Sequence, residues 1–209
     1  HLVVVSSSSV YGNNPKIPKN EDDWTRPISP YGASKLAGEA FTFAYQNVFG
    51  IDAILFRLFN VYGPYQRADH EYAAVIPKFA LSAIRGLKID IFGDGNQHRD
   101  FTYVGDVVEV IKFAIENRVT YSGPINLAFG NPVSLLEIIS MRNLQEHFEY
   151  FEKKLEMKLE LTFKPARKGD VKFSNNNPAL LYRLFGNLDS TNIDTGIRNT
   201  VDWLRLGAQ

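Results

Sequence analysis

The chain of 209 residues contains no cysteine, so neither a disulfide framework nor a thiolate metal site is open to it. It has no surplus of either charge: Lys plus Arg and Asp plus Glu both number 23, for a formal net charge of zero. That balance argues against nucleic acid or an anionic membrane as partner, while leaving room for a local basic cleft. No apolar run approaches the length of a membrane span and no signal peptide is visible, so a soluble cytoplasmic protein is expected. The four histidines, His1, His70, His98 and His147, lack metal-ligand spacing, and no metal is expected. Nor does any Gly-x-x-Gly-x-x-Gly turn occur. That turn normally receives a dinucleotide pyrophosphate on a helix N-terminus. The pair Gly93 and Gly95 is no substitute, because it lacks a third glycine and a helix behind it.

What remains is well organised. With 44% hydrophobic residues the chain can build a core, and its length suits one large domain or one and a half. His1 to Val5 reads as a strand buried on both faces, the kind found inside a parallel sheet. It breaks into Ser6-Ser7-Ser8-Ser9-Val10-Tyr11-Gly12, which puts hydroxyls where open α/β sheets bind ligands. After a polar loop from Asn13 to Arg26 comes Ser29-Pro30-Tyr31-Gly32-Ala33-Ser34-Lys35. Ser29 suits a helix cap and Pro30 the first helical position. Leu36, Ala37, Ala40, Phe41 and Ala44 continue as an apolar stripe towards a helix end near Gly50. Tyr31 and Lys35 then share one helix face. A phenol beside an ammonium is useful chemistry, because the positive charge stabilises phenolate. A second buried strand, Ile51 to Phe59, ends in Arg57-Leu58-Phe59-Asn60-Val61-Tyr62-Gly63-Pro64. Strand, helix and strand in succession predict a βαβ unit and a parallel sheet.

The three motifs, Ser-Ser-Ser-Val-Tyr-Gly, Tyr-x-x-x-Lys and Arg-Leu-Phe-Asn-Val-Tyr-Gly-Pro, resemble the extended short-chain dehydrogenase/reductase family. Within it they are most similar to the nucleotide-sugar epimerases of the UDP-glucose 4-epimerase type. The resemblance runs from residue 1 almost to the end. It implies an α/β fold: part of a Rossmann-type parallel sheet with a smaller mixed α/β substrate-binding domain. Residues 1–66 would be the second half of the NAD-binding domain. Residues 67–209 would be mainly the nucleotide-sugar domain, with segments near 100–130 returning to the Rossmann sheet. By the same resemblance Tyr31 is the base for the sugar 4-hydroxyl, and Lys35 holds the nicotinamide ribose. Ser7 is the hydroxyl that binds the sugar. Phe59 lies by the nicotinamide and Asn60 by the diphosphate. NAD is the implied cofactor, a UDP-sugar the implied substrate, and a homodimer the implied assembly. Family members carry the glycine turn and an acidic ribose-binding residue ahead of these motifs, so on the order of a hundred residues are expected before His1.

Downstream, Tyr72 to Arg85 has a helical pattern and Lys88 to Phe92 reads as a short strand before the Gly93 turn. Arg99, in Arg99-Asp100-Phe101, matches the arginine that relatives present to the nucleotide diphosphate, and a guanidinium fork suits phosphate oxygens. Asp106 to Asn117 reads as a helix capped by Asp106, with Val107, Val108, Ile111 and Ala114 inward. Pro124 to Ala128 and Leu159 to Phe163 read as strands. Ser134 and Glu137 have capping-box spacing, opening a helix expected to run past Phe148 and Phe151 to about Leu155. In the stretch Pro165-Ala166-Arg167-Lys168-Gly169-Asp170, the resemblance assigns Arg167 to phosphate and Asp170 to the uridine ribose. Helices are expected over Pro178 to Phe185 and Asp194 to Leu206. The implied activity is NAD-dependent epimerisation of a UDP-sugar at C4 through a 4-keto intermediate. The alternatives are a sugar-acid decarboxylase or a dehydratase of the same family, and a non-catalytic binding protein on the same fold. Dehydratases need an acid pair directly after the catalytic hydroxyl, and this chain has Ser8 and Ser9 there.

Overall fold

The β-branched opening run forms strand β1 (Leu2–Ser7), helix α1 (Pro30–Phe49) follows the loop, and strand β2 (Ala53–Leu58) returns parallel to β1. Strand β7 (Pro124–Leu127) adds to the far side of β2, also parallel, giving the order β1-β2-β7. The computed structural model describes residues 1–207, apart from 70–73, 142–143, 147–148, 150–159, 167–171 and 187. The architecture is α/β, with its parallel sheet at the centre.

Local chemistry fixes both ends of α1. The Ser29 hydroxyl accepts from the Gly32 N–H at 3.1 Å, Pro30 takes the first position, and Gly50 closes the helix at φ 62°. A left-handed closing residue of this kind favours glycine. The sheet packs through Ile54, Phe56, Ile125 and Leu127 against helix α3 (Val104–Glu116) and helix α5 (Ala179–Phe185).

A second core joins helix α2 (Val75–Arg85), strand β4 (Ile89–Phe92), helix α4 (Leu135–Ser140) and helix α6 (Ile193–Gly207). Strand β9 (Leu161–Lys164) pairs with β4 in parallel. Strand β5 (His98–Asp100) lies between β8 (Pro132–Ser134, antiparallel) and β10 (Phe173–Ser174, parallel). Strands β3 (Val61–Tyr62) and β6 (Thr102–Tyr103) form a short parallel pair.

Five sequence expectations need correction. The opening strand is not buried on both faces: among the described strands β1 lies at the edge of its sheet, pairing only with β2, and Leu2 and Val5 are 47% and 41% exposed. The apolar stripe of α1 does not face the core: Ala37, Ala40, Phe41 and Ala44 are exposed, while Gly32, Glu39 and Thr42 are buried. In α3, Val110 is buried and Val108 is 54% exposed. Asp106 is not the cap of α3, which Tyr103 occupies; its carboxylate instead accepts from Thr191 N at 2.9 Å and Thr191 Oγ1 at 2.6 Å. The capping box of Ser134 and Glu137 is present, but α4 stops at Ser140, where Met141 turns extended (φ −67°, ψ 139°). The predicted run to Leu155 is interrupted at Met141 and helix is found again at 144–146 and 149; residues 142–143, 147–148 and 150–159 lie outside those described.

The inward face of α1 is polar because it meets a polar row on the sheet. Ser6, Arg57 and Asn126 are cross-strand neighbours on β1, β2 and β7. Arg57 grips Glu39 with two bonds, Nε to Oε1 at 2.9 Å and Nη2 to Oε2 at 2.7 Å, and Ser6 Oγ donates to Glu39 Oε1 at 2.5 Å. Arg57 Nη1 also donates to Tyr11 Oη at 2.9 Å, and Tyr11 Oη donates to Asn126 Oδ1 at 2.7 Å. Burial pushes the Tyr11 phenol up to about 12 against the pull of Arg57.

Removing one partner of such a pair strands a buried charge. Arg57→Ala is therefore expected to destabilise the chain by about 3–5 kcal/mol in urea unfolding. A loss under about 1 kcal/mol would equate the pair with a surface bridge.

Candidate active site

The carboxyl ends of β1 and β2 converge on the start of α1. Ser7 ends β1 and caps a 3-10 turn, Ser8–Tyr11. Its Oγ accepts from Ser9 N at 3.2 Å and from Ser9 Oγ at 2.9 Å. The α1 N-terminus lies hard against this turn: a Cβ on Gly32 would sit 2.8 Å from the Ser9 carbonyl oxygen. Glycine at position 32 is what permits that approach. Tyr31, one residue earlier, is 56% exposed. Lys35 Nζ stands 5.7 Å from the Tyr31 ring centroid and donates to the Val5 carbonyl at 3.0 Å. The lysine is thereby tied to the same strand that delivers Ser7.

A cavity of about 380 Å³ opens beside this junction, lined by Ser7, Ser9, Phe59, Asn60 and Arg99 among others. Tyr31 and Lys35 are not in its wall; Ser29, two residues ahead of Tyr31, is. Asn60 has a left-handed backbone (φ 38°) and its Nδ2 donates to the Asp100 carbonyl at 3.0 Å, which couples the end of β2 to β5. Asparagine is among the residues that tolerate this conformation. Phe59 is fully buried and packs with Tyr11, ring centroids 6.3 Å apart. Arg99 leans over the chain, Nη1 donating to His98 O at 2.9 Å. Arg167 and Asp170 lie outside the described residues.

Sequence reasoning missed Lys19, which also lines the cavity. Its Nζ donates to the carbonyls of Asn14 at 2.5 Å and Lys16 at 2.6 Å, closing the loop, and burial pulls its pKa down. No periodicity marks a lysine inside a loop, so only the tertiary structure shows it. Asp100, at the end of β5, was missed because its partners are 30 and 76 positions away in sequence. Its carboxylate is fully buried and accepts from the N–H groups of Gly130 at 3.0 Å and Asn176 at 3.1 Å. It thus staples β5, and Arg99 with it, to the strand ends around the cavity.

The lysine carries three N–H donors and spends one on Val5. Two N–H donors of Lys35 are left for a hydroxyl or phosphate oxygen of a cofactor, whereas no glycine turn is present for a dinucleotide pyrophosphate.

Residues 1–128 match the NAD dependent epimerase/dehydratase family. UDP-glucuronate 4-epimerase 2 of Arabidopsis thaliana is 34% identical over 218 residues, covering 97% of this chain and 48% of that protein. Among solved structures, UDP-N-acetylglucosamine 4-epimerase from Methanobrevibacter ruminantium M1, in complex with UDP-N-acetylmuramic acid, superposes with a TM-score of 0.84 at 33% identity. That match covers 98% of this chain and 63% of the neighbour. TunA, an NAD-dependent NDP-hexosamine 5,6-dehydratase of tunicamycin biosynthesis, gives a TM-score of 0.80 at 33% identity, over 97% of this chain and 62% of its own. The chain spans 48% to 63% of the length of these three proteins.

Asp100 generates a pH prediction. Burial raises its pKa to about 6, outweighing the backbone donors of Asn176, Gly130, Asn131 and Phe129. Between about pH 4 and 6 the folded chain then holds a proton that the unfolded chain has lost, so this group's contribution falls as pH rises through 6. From pH 4 to pH 7, the wild type is expected to lose about 3 kcal/mol relative to Asp100→Asn in urea titrations. A pH-independent difference between the two would assign Asp100 an ordinary carboxylate pKa.

Proposed function

The chain belongs to the NAD dependent epimerase/dehydratase family, and from that premise we propose that it serves in the NAD-dependent 4-epimerisation of a UDP-sugar. The observation that carries this reading is the meeting of the serine turn with the Tyr31–Lys35 helix at the carboxyl end of β1, beside a cavity that takes in Arg99. Residues 1–66 would belong to the dinucleotide-binding domain and 67–209 mainly to the sugar-nucleotide domain.

Each residue has a task that its chemistry suits. Tyr31 takes the proton of the sugar 4-hydroxyl as C4 becomes a ketone, and returns it when C4 is reduced from the other face. Lys35 holds the nicotinamide ribose and favours the phenolate of Tyr31 by its charge. Ser7 binds the C4 oxygen, and Phe59 backs the nicotinamide from inside the fold. Asn60, Arg99 and Arg167 receive the diphosphate, and Asp170 the uridine ribose. When bound, NAD supplies the acceptor and donor of hydride at C4. Anchoring at the diphosphate leaves the sugar free to turn, so binding energy is drawn from groups remote from the reacting carbon.

The 5,6-dehydratase among the structural neighbours favours one second reading, elimination of water from the sugar. Ser8 and Ser9 occupy the positions where such enzymes need an acid and a base, and hydroxyls supply neither role well.

Incubated with NAD and UDP-glucose, UDP-N-acetylglucosamine or UDP-glucuronate, the protein is expected to convert one of them to its 4-epimer, followed by proton NMR. Tyr31→Phe should slow conversion by about 10²-fold or more with UDP-sugar affinity retained. Undiminished turnover in that variant would remove Tyr31 as the base, and an alkene signal from the sugar would favour the dehydratase.

We also propose a homodimer through the outer face of α1. Phe41, Tyr45, Val48 and Phe49 are 68%, 50%, 71% and 68% exposed on this helix, a concentration of apolar surface that suits a partner helix. Sedimentation should report a dimer, and the pair Phe41→Glu and Phe49→Glu a monomer. A monomeric wild type would return those residues to ordinary surface.

A further inference from the structure

Ser9 holds Ser7 by two contacts. A hydroxyl offers one proton and two lone pairs. The Ser9 N–H takes one lone pair of Ser7 Oγ at 3.2 Å, and the Ser9 hydroxyl stands 2.9 Å away, placed to take the other. The direction of the first bond is beyond question, since an amide N–H only donates. Once the Ser9 hydroxyl takes the second lone pair, the unspent capacity of Ser7 is its proton. Both side chains line the cavity. The turn that sets this pairing is itself pinned: Gly12 N donates to Ser9 O at 3.2 Å, and the α1 N-terminus presses on that same carbonyl at Gly32.

We propose that Ser9 is a positioning residue that makes Ser7 a one-way donor into the cavity. This inference rests on the reading of Ser7 and Tyr31 given above. It divides the work at the C4 oxygen: Tyr31 accepts the proton, and Ser7 only donates a hydrogen bond to the oxygen left behind. A free serine hydroxyl samples three staggered orientations. Ser9 removes that choice before substrate arrives, and donors oriented in advance need no reorganisation during reaction. Ser9 touches the reaction only through Ser7, so its loss should matter only while Ser7 is present.

The test is a double-mutant cycle on Ser7→Ala, Ser9→Ala and the double variant, with Ser9→Thr as the conservative control. Turnover of the three UDP-sugars is followed by NMR, and UDP-sugar affinity by calorimetry. Ser9→Ala is expected to lower kcat by about tenfold with KM within about twofold, because an orienting bond rather than a binding contact is lost. Ser9→Thr should recover most of the rate, and the double variant should be no slower than Ser7→Ala alone. Additive losses, a rise in KM with kcat unchanged, or failure of the threonine to recover activity would each overturn the proposal. If the wild type turns over none of the sugars, the epimerase reading fails and the calorimetric cycle decides for Ser9. A loss of affinity in Ser9→Ala that vanishes when Ser7 is already alanine then upholds the coupling, and no loss in Ser9→Ala overturns it. Independent losses, or no binding by the wild type, overturn it.

Discussion

The paired charges of Arg57 and Glu39 set the geometry on which the rest depends. Both are almost fully buried, and two parallel hydrogen bonds join them. Removing such groups from water is costly, and a bidentate pair offsets the cost only when its remaining donors and acceptors are satisfied. Ser6, Tyr11 and the Glu21 carbonyl do this: Ser6 donates to Glu39, while Arg57 donates to the other two. The result bolts α1 to the sheet in one rotation about its axis. Glu39 is eight residues beyond Tyr31, about two helical turns. The same rotation that buries the carboxylate therefore sends Tyr31 and Lys35 towards the end of β1.

Polar groups sit at the strand ends for a related reason. A parallel sheet covered on both faces opens only at its ends, and the carboxyl end gathers the loops. Ser7 ends β1, Asn60 follows β2, and Asp100 ends β5 with Arg99 beside it. Asn60 and Asp100 are themselves joined across 3.0 Å. The site is a set of short links between strand termini and the loops that follow them.

Signals that act within a few residues were legible in the sequence. The cap at Ser29, the closing Gly50, the capping box at Ser134 and the βαβ order all depend on local chemistry, and each is found where the residues indicate. The inward face of α1 was not legible. Phe41 and Ala44 promise burial by periodicity, but Glu39 takes the inner face because its partner Arg57 is 18 positions away in sequence. Asp106 misled in the same way, its partner Thr191 being 85 positions distant. The structure brings Ser7, Phe59, Asn60 and Arg99 to one cavity, with Tyr31 and Lys35 at the adjoining helix start. Lys19 carried no motif that could have announced it, and Asp100 stood in the Arg99-Asp100-Phe101 stretch only as the neighbour of the arginine.

Gly32 has a consequence for how such a site could change. The spacing between the helix start and the serine turn is set there by a hydrogen atom, since a methyl group would collide with main chain rather than with a yielding side chain. Position 32 is closed to such change: any larger residue would wedge the start of α1, and Tyr31 with it, away from the serine turn.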